Sequence, residues 1–160
     1  ALSITNEPGV VKFTHDGVDG FTVWDLGEAG ERIGVLVDTT GPYTGTRPLQ
    51  WTTATTGFEI AADGNWSYVI RPGSQIRDEE CPFVGEGDDV VHVRQFSSGA
   101  GAAHIKFDGD TDFAIWTYGF MAPERIVNAT GSYEGTVPVG DLMVTWDITA
   151  NGGAWTIDCG

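Results

Sequence analysis

The chain repeats itself. Residues 13–24 read F-T-H-D-G-V-D-G-F-T-V-W and residues 105–116 read I-K-F-D-G-D-T-D-F-A-I-W. Asp16, Gly17, Phe21 and Trp24 therefore return as Asp108, Gly109, Phe113 and Trp116. L-V-D-T-T-G-P-Y-T-G-T-R-P (36–48) returns as I-V-N-A-T-G-S-Y-E-G-T-V-P (126–138), and both copies close on G-x-W, in G-N-W-S-Y-V-I (64–70) and G-A-W-T-I (153–157). Three blocks in one order at matching spacing mean that one supersecondary unit serves twice. The first copy runs from Leu2 to about Ile70 and the second from about Asp88 to Ile157. The division expected is residues 1–72, a linker 73–87 rich in Pro, Gly and charge, and residues 88–160.

Inside each copy the apolar period is two rather than 3.6, which marks strands. V-V-K-F (10–13), G-F-T-V-W-D-L (20–26), I-G-V-L-V (33–37), G-F-E-I-A (57–61) and W-S-Y-V-I (66–70) are separated by D-G, G-E-A-G, T-G-P-Y and D-G-N turns. The second copy offers D-V-V-H-V-R-Q-F (89–96), H-I-K-F (104–107), F-A-I-W-T-Y (113–118), L-M-V-T-W-D-I-T (142–149) and A-W-T-I (154–157). The 23 Gly disfavour helix, and no helical pattern competes. The expected fold is all-β: two tandem antiparallel β-sandwich repeats, jelly-roll-like or Greek-key in topology, packed as one body or as two.

Charge narrows the partners. Against 23 acidic side chains stand 8 basic ones, for a net charge of −15. A chain of that sign does not neutralise phosphates, which argues against nucleic acid and against anionic membrane surfaces. No run of apolar residues is long enough to span a bilayer as a helix. The start at Ala1, without Met or a basic-apolar leader, reads as a mature secreted chain or a trimmed one. Cys81 and Cys159 have no metal-like spacing; in a secreted chain they read as one disulfide, the alternative being two buried thiols.

H-D-G-x-x-x-F-x-V-W, then G-x-Y-x-G-T, then the closing G-x-W resembles a β-sandwich repeat of secreted actinobacterial proteins. In that family a lead-in strand F-x-G-x-G-D-D-V-V often precedes the repeat, and F-V-G-E-G-D-D-V-V (83–91) stands in that place for the second copy. The first copy opens on L-S-I-T instead, and the second has Phe107 where the pattern prefers His. The resemblance covers nearly the whole chain. It implies a secreted module of unassigned function, with no catalytic residues and no cofactor.

The residues themselves agree with a non-catalytic reading. There is no G-x-S-x-G, and His15, His92 and His104 lack a recognisable nucleophile pattern. Acidic pairs follow from composition and do not single out a glycosidase site. Asp108, Asp110 and Asp112 in D-G-D-T-D have the alternating spacing of a weak Ca²⁺ loop, or of a solvated turn; Glu86, Asp88 and Asp89 form a second acidic cluster. No other cofactor is expected. The sequons at Asn65 and Asn128 are read as coincidental in a bacterial chain.

Aromatics carry the binding expectation, because flat rings stack on sugars. Strand phase puts Trp24 and Trp116 opposite Phe21/Val23 and Phe113/Ile115, either exposed or in a seam. Trp66, Trp146 and Trp155 share faces with apolar neighbours and read as core. Tyr43 and Tyr133 sit in the G-x-Y-x-G-T loops. Trp51, in a Thr-rich segment after Gln50 and without a counterpart, is the leading contact. The function expected is attachment of a secreted module to a glycan or cell-surface polymer. The alternative is an adaptor or structural subunit docking extracellular proteins.

Overall fold

The computed structural model describes residues 7–52, 54–96, 99–120 and 122–160. The L-S-I-T stretch lies outside them. The chain divides into two compact units, the first ending at Ile76 and the second spanning Arg77–Gly160. Both are antiparallel β-sandwiches, apart from one short parallel pairing, and the expected all-β class holds. Among the described residues no helix is long and apolar enough to cross a membrane.

Unit 1 is built from β1 (Gly9–His15), β2 (Gly20–Leu26), β3 (Arg32–Thr40), β4 (Tyr43–Leu49), β5 (Gly57–Ala62) and β6 (Trp66–Pro72). One sheet has the order β4-β1-β6 and the other β3-β2-β5. Alternation sends Val11, Phe13, Phe21, Val23 and Val37 inward to one core cluster, while Lys12, Thr22 and Trp24 point away from it.

Unit 2 contains β7 (Arg77–Glu79), β8 (Phe83–Glu86), β9 (Asp89–Val93), β10 (Gly101–Asp108), β11 (Asp112–Tyr118), β12 (Glu124–Thr130), β13 (Tyr133–Val139), β14 (Thr145–Thr149) and β15 (Ala154–Cys159). Its sheets run β13-β10-β15-β8 and β12-β11-β14-β9-β7, with β7 parallel to β9. Within them β13-β10-β15 and β12-β11-β14 have the order of β4-β1-β6 and β3-β2-β5 in unit 1. Registers agree as well: His15 pairs with Tyr43 and Trp66, and Phe107 with Tyr133 and Trp155. Gly41 (φ 87°) and Gly131 (φ 80°) take the left-handed conformation where the chain passes from one sheet to the other. Their amides donate to Asp19 O and Thr111 O at 2.8 and 2.9 Å.

Two expectations change. The stretch 73–87 is not a plain linker, because β7 and β8 lie within it and pair with β9 and β15. Strands also occupy 43–49, 124–130 and 133–139, so Tyr43 and Tyr133 open strands instead of capping loops. Cys81 and Cys159 are bonded, with Cα atoms 5.5 Å apart. They lie two residues beyond the Phe83–Ile157 pair on β8 and β15, so the bond fastens an edge strand to its neighbour.

Candidate functional site

The residues picked from sequence do not converge. Trp51 is half-buried, and its indole N–H donates to Gly9 O at 2.9 Å, tying the segment after β4 to the start of β1. Tyr43 is buried, 6% exposed, with its ring 5.8 Å from Phe21. Tyr133 is half-buried, 6.1 Å from Phe113. Trp24 and Trp116 face outward as their strand phase requires, yet each is half-buried. The Arg32 guanidinium lies 3.9 Å from the Trp24 ring centre and is clamped by Glu59, while Arg125 stands 5.5 Å from Trp116. A face covered by guanidinium does not offer itself to a sugar.

Among the described residues no three His, Cys, Asp or Glu side chains come together as a metal-holding group, Asp108, Asp110 and Asp112 included. All three are exposed, Asp108 ending β10, Asp110 in the turn and Asp112 opening β11, and Asp112 Oδ1 accepts from Thr130 Oγ1 at 2.7 Å. Carboxylates turned to water have no reason to converge.

His15 is placed as packing. Its ring stacks on Phe21 at 4.5 Å and 8°, as Phe107 stacks on Phe113 at 4.4 Å and 4°. Its Nδ1 lies 3.1 Å from Gly41 O; a carbonyl only accepts, so that nitrogen carries a proton. Nε2 lies 3.3 Å from the Gly64 amide and 3.1 Å from Asp63 Oδ1. The carboxylates beside it lock the same end of the unit. Asp63 accepts from the Val18 and Asp19 amides at 3.0 and 3.1 Å, and Asp16 from the Asn65 amide and side chain. The Asp19 amide holds the Asp63 carboxyl below its ordinary value against desolvation, with Val18 and His15 adding to the effect; the Asn65 side chain does the same for Asp16. A carboxyl with a depressed folded pKa stabilises the fold above its unfolded value, about 3.9, and that contribution is lost as pH falls through the folded value. In an NMR acid titration, the Val18 and Asp19 amide shifts should therefore hold constant down to the ordinary carboxylate pKa and move only below it. Movement centred at or above that value would mean that the Asp63 bonds do not form.

One groove stands out on unit 1. It is open, about 330 Å³, and lined by Gly57, Phe58, Ile60, Trp66 and Tyr68. Trp66, expected in the core, is 46% exposed. The Trp66 and Tyr68 rings are nearly parallel, 11° apart with centres at 6.3 Å, and Phe58 meets Tyr68 edge-on at 5.5 Å. Phe58 and Tyr68 also contact Phe13, so the groove floor is the core itself. Its two walls are β5 and β6, each an edge strand hydrogen-bonded on one side only among the described residues.

No protein-family model and no curated protein matches the chain. The groove is an apolar, aromatic cleft flanked by backbone donors and acceptors. It offers stacking, burial and strand pairing, and among the described residues no charged group lines it. Sequence reasoning passed over Trp66, Tyr68, Phe58 and Ile60 because their parity is that of core residues. The signal for them is the F-x-G-x-G-D-D-V-V pattern, which the sequence shows ahead of the second copy.

Proposed function

We propose that this chain is a secreted, non-catalytic docking module, an adaptor or structural subunit of an extracellular assembly, which takes its protein partner at the aromatic groove of unit 1. The observation that carries this reading is the coincidence, at one place, of exposed Trp66, its apolar neighbours and two strands that are sheet edges among the described residues. Exposed edges accept strands, and an aromatic beside an edge supplies the anchor that backbone pairing lacks. The disulfide supports an oxidising compartment, where such bonds persist. The net charge of −15 directs the reading away from nucleic acid.

Glycan attachment is the second reading. It is favoured by the nearly parallel Trp66 and Tyr68 rings, a surface on which a sugar can stack. Wild-type, Trp66→Ala and Trp51→Ala chains compared on a glycan array and in crosslinking with the source's secreted proteins separate the two. The expected result is protein capture weakened about tenfold or more by Trp66→Ala, the loss of an anchoring aromatic, and left intact by Trp51→Ala. Trp66-dependent binding to glycans alone would favour the second reading. Capture indifferent to Trp66 would remove the groove from the account.

A further inference from the structure

Unit 2 shows what fills this groove when it is filled. By register, Ile60 of β5 takes the place of Ile148 in β14, since the two pair with Val23 and Ile115; Phe58 likewise takes the place of Trp146. Trp66 takes the place of Trp155 on β15, since they pair with His15 and Phe107, and Tyr68 that of Ile157, opposite Phe13 and Ile105. Trp146, Ile148, Trp155 and Ile157 are all buried, none more than 1% exposed. The difference lies in β8 and β9, which extend the two sheets beyond β15 and β14 and have no equivalent among the described residues of unit 1.

The segment F-V-G-E-G-D-D-V-V is shaped around Trp155. Phe83 meets the indole edge-on at 6.0 Å. Gly85 pairs directly opposite Trp155, and a Cβ there would collide with the six-membered ring. Gly87 O accepts the indole N–H at 3.0 Å. Asp88 Oδ1 caps the Ala150 and Asn151 amides at 2.8 and 3.0 Å, and Val90 and Val91 are buried. Phe83, Gly85 and Gly87 thus each answer the tryptophan near the start of β15, and Trp66 holds the same register place in β6.

We infer that the groove of unit 1 binds an extended segment of a partner protein with the pattern Phe-x-Gly-x-Gly-Asp-Asp-Val-Val, which adds a strand to β6 with its first glycine opposite Trp66. This rests on the docking function proposed above and names the chemistry of its partner. Among the described residues the groove lining is neutral, so in a chain with 23 acidic residues a segment bearing several carboxylates meets no like charge from that lining.

The test uses the full, oxidised chain and a synthetic peptide with the sequence of residues 82–93. Binding is read by fluorescence anisotropy of the labelled peptide, and strand addition by amide protection along β6. The expected result is saturable binding with new protection in Trp66–Pro72. It should weaken about tenfold or more with Trp66→Ala, and equally with a peptide whose first glycine is valine, which needs no change to the protein. The disulfide keeps unit 2's own β8 fastened beside β15, and dependence on Trp66 distinguishes binding at β6 from exchange with β8. No saturable binding, or equal binding by the valine peptide, overturns the inference. If the peptide fails while crosslinked capture of secreted proteins still depends on Trp66, the Phe-x-Gly pattern falls and the docking function stands.

Discussion

Reduction of the Cys81–Cys159 bond is expected to lower the melting temperature of unit 2 by on the order of 20 °C without unfolding it at room temperature. The bond closes a sequence separation of 78 residues. Loop-closure entropy for that length is worth about 4 kcal/mol, a large share of the 5–15 kcal/mol that holds an ordinary domain together. The native geometry agrees with the size of the effect, since the bond continues an existing pairing of β8 with β15 and reduction leaves that ladder its hydrogen bonds. Unit 1 contains no cysteine and serves as the internal reference. Calorimetry with and without reductant should show one transition that moves and one that does not. Two unmoved transitions would mean that the denatured chain gains nothing from release.

The second large effect is a contrast between two tryptophans in the same register. Trp155→Ala should cost about 3–5 kcal/mol, the range for deleting a fully buried large aromatic side chain. The indole fills the space over Gly85, meets Phe83 and donates to Gly87 O, and the residue is 1% exposed. Trp66→Ala should cost about 1 kcal/mol or less, because nearly half of that residue already faces water. Urea denaturation of both variants, followed by far-UV circular dichroism, reads the difference. Equal costs would show that β8 and β9 do not determine the burial of the residues beneath them.

The same contrast marks how far the sequence can be read. Alternation is a local property, and it places β1, β2, β10, β11 and β15 with the correct residues inward. It also assigns Trp66 the correct parity. Whether an inward residue is covered depends on a strand lying beyond it, which alternation in β6 does not encode. Strands β4 and β13 escape the pattern because they contain Gly45, Pro48, Gly135 and Pro138. Both are edge strands, where a proline costs no ladder bond on the open side. The R-D-E of β7 looks like a linker because it is a short, largely exposed edge. The disulfide was legible from cysteine arithmetic. The anchoring of Trp51 was not legible: a lone tryptophan among polar residues still has an N–H to satisfy, and Gly9 O, 42 positions away in sequence, satisfies it.

The position of the disulfide has a mechanical consequence. Cys81 lies near the first residue of unit 2 and Cys159 near its last. Tension applied across Arg77 and Gly160 passes through the sulfur bridge and bypasses strands β8 to β15. Roughly 260 Å of contour length, the reach of a 78-residue stretch, is withheld from extension while the bridge is intact. Unit 1 has no bridge, so a pulling force would spool it out first. Unit 2 thus behaves as an inextensible link, and unit 1, with its open groove, as the compliant one. A load on the chain would therefore dismantle the β6 edge, and release whatever is paired to it, before it disturbed the covered sandwich.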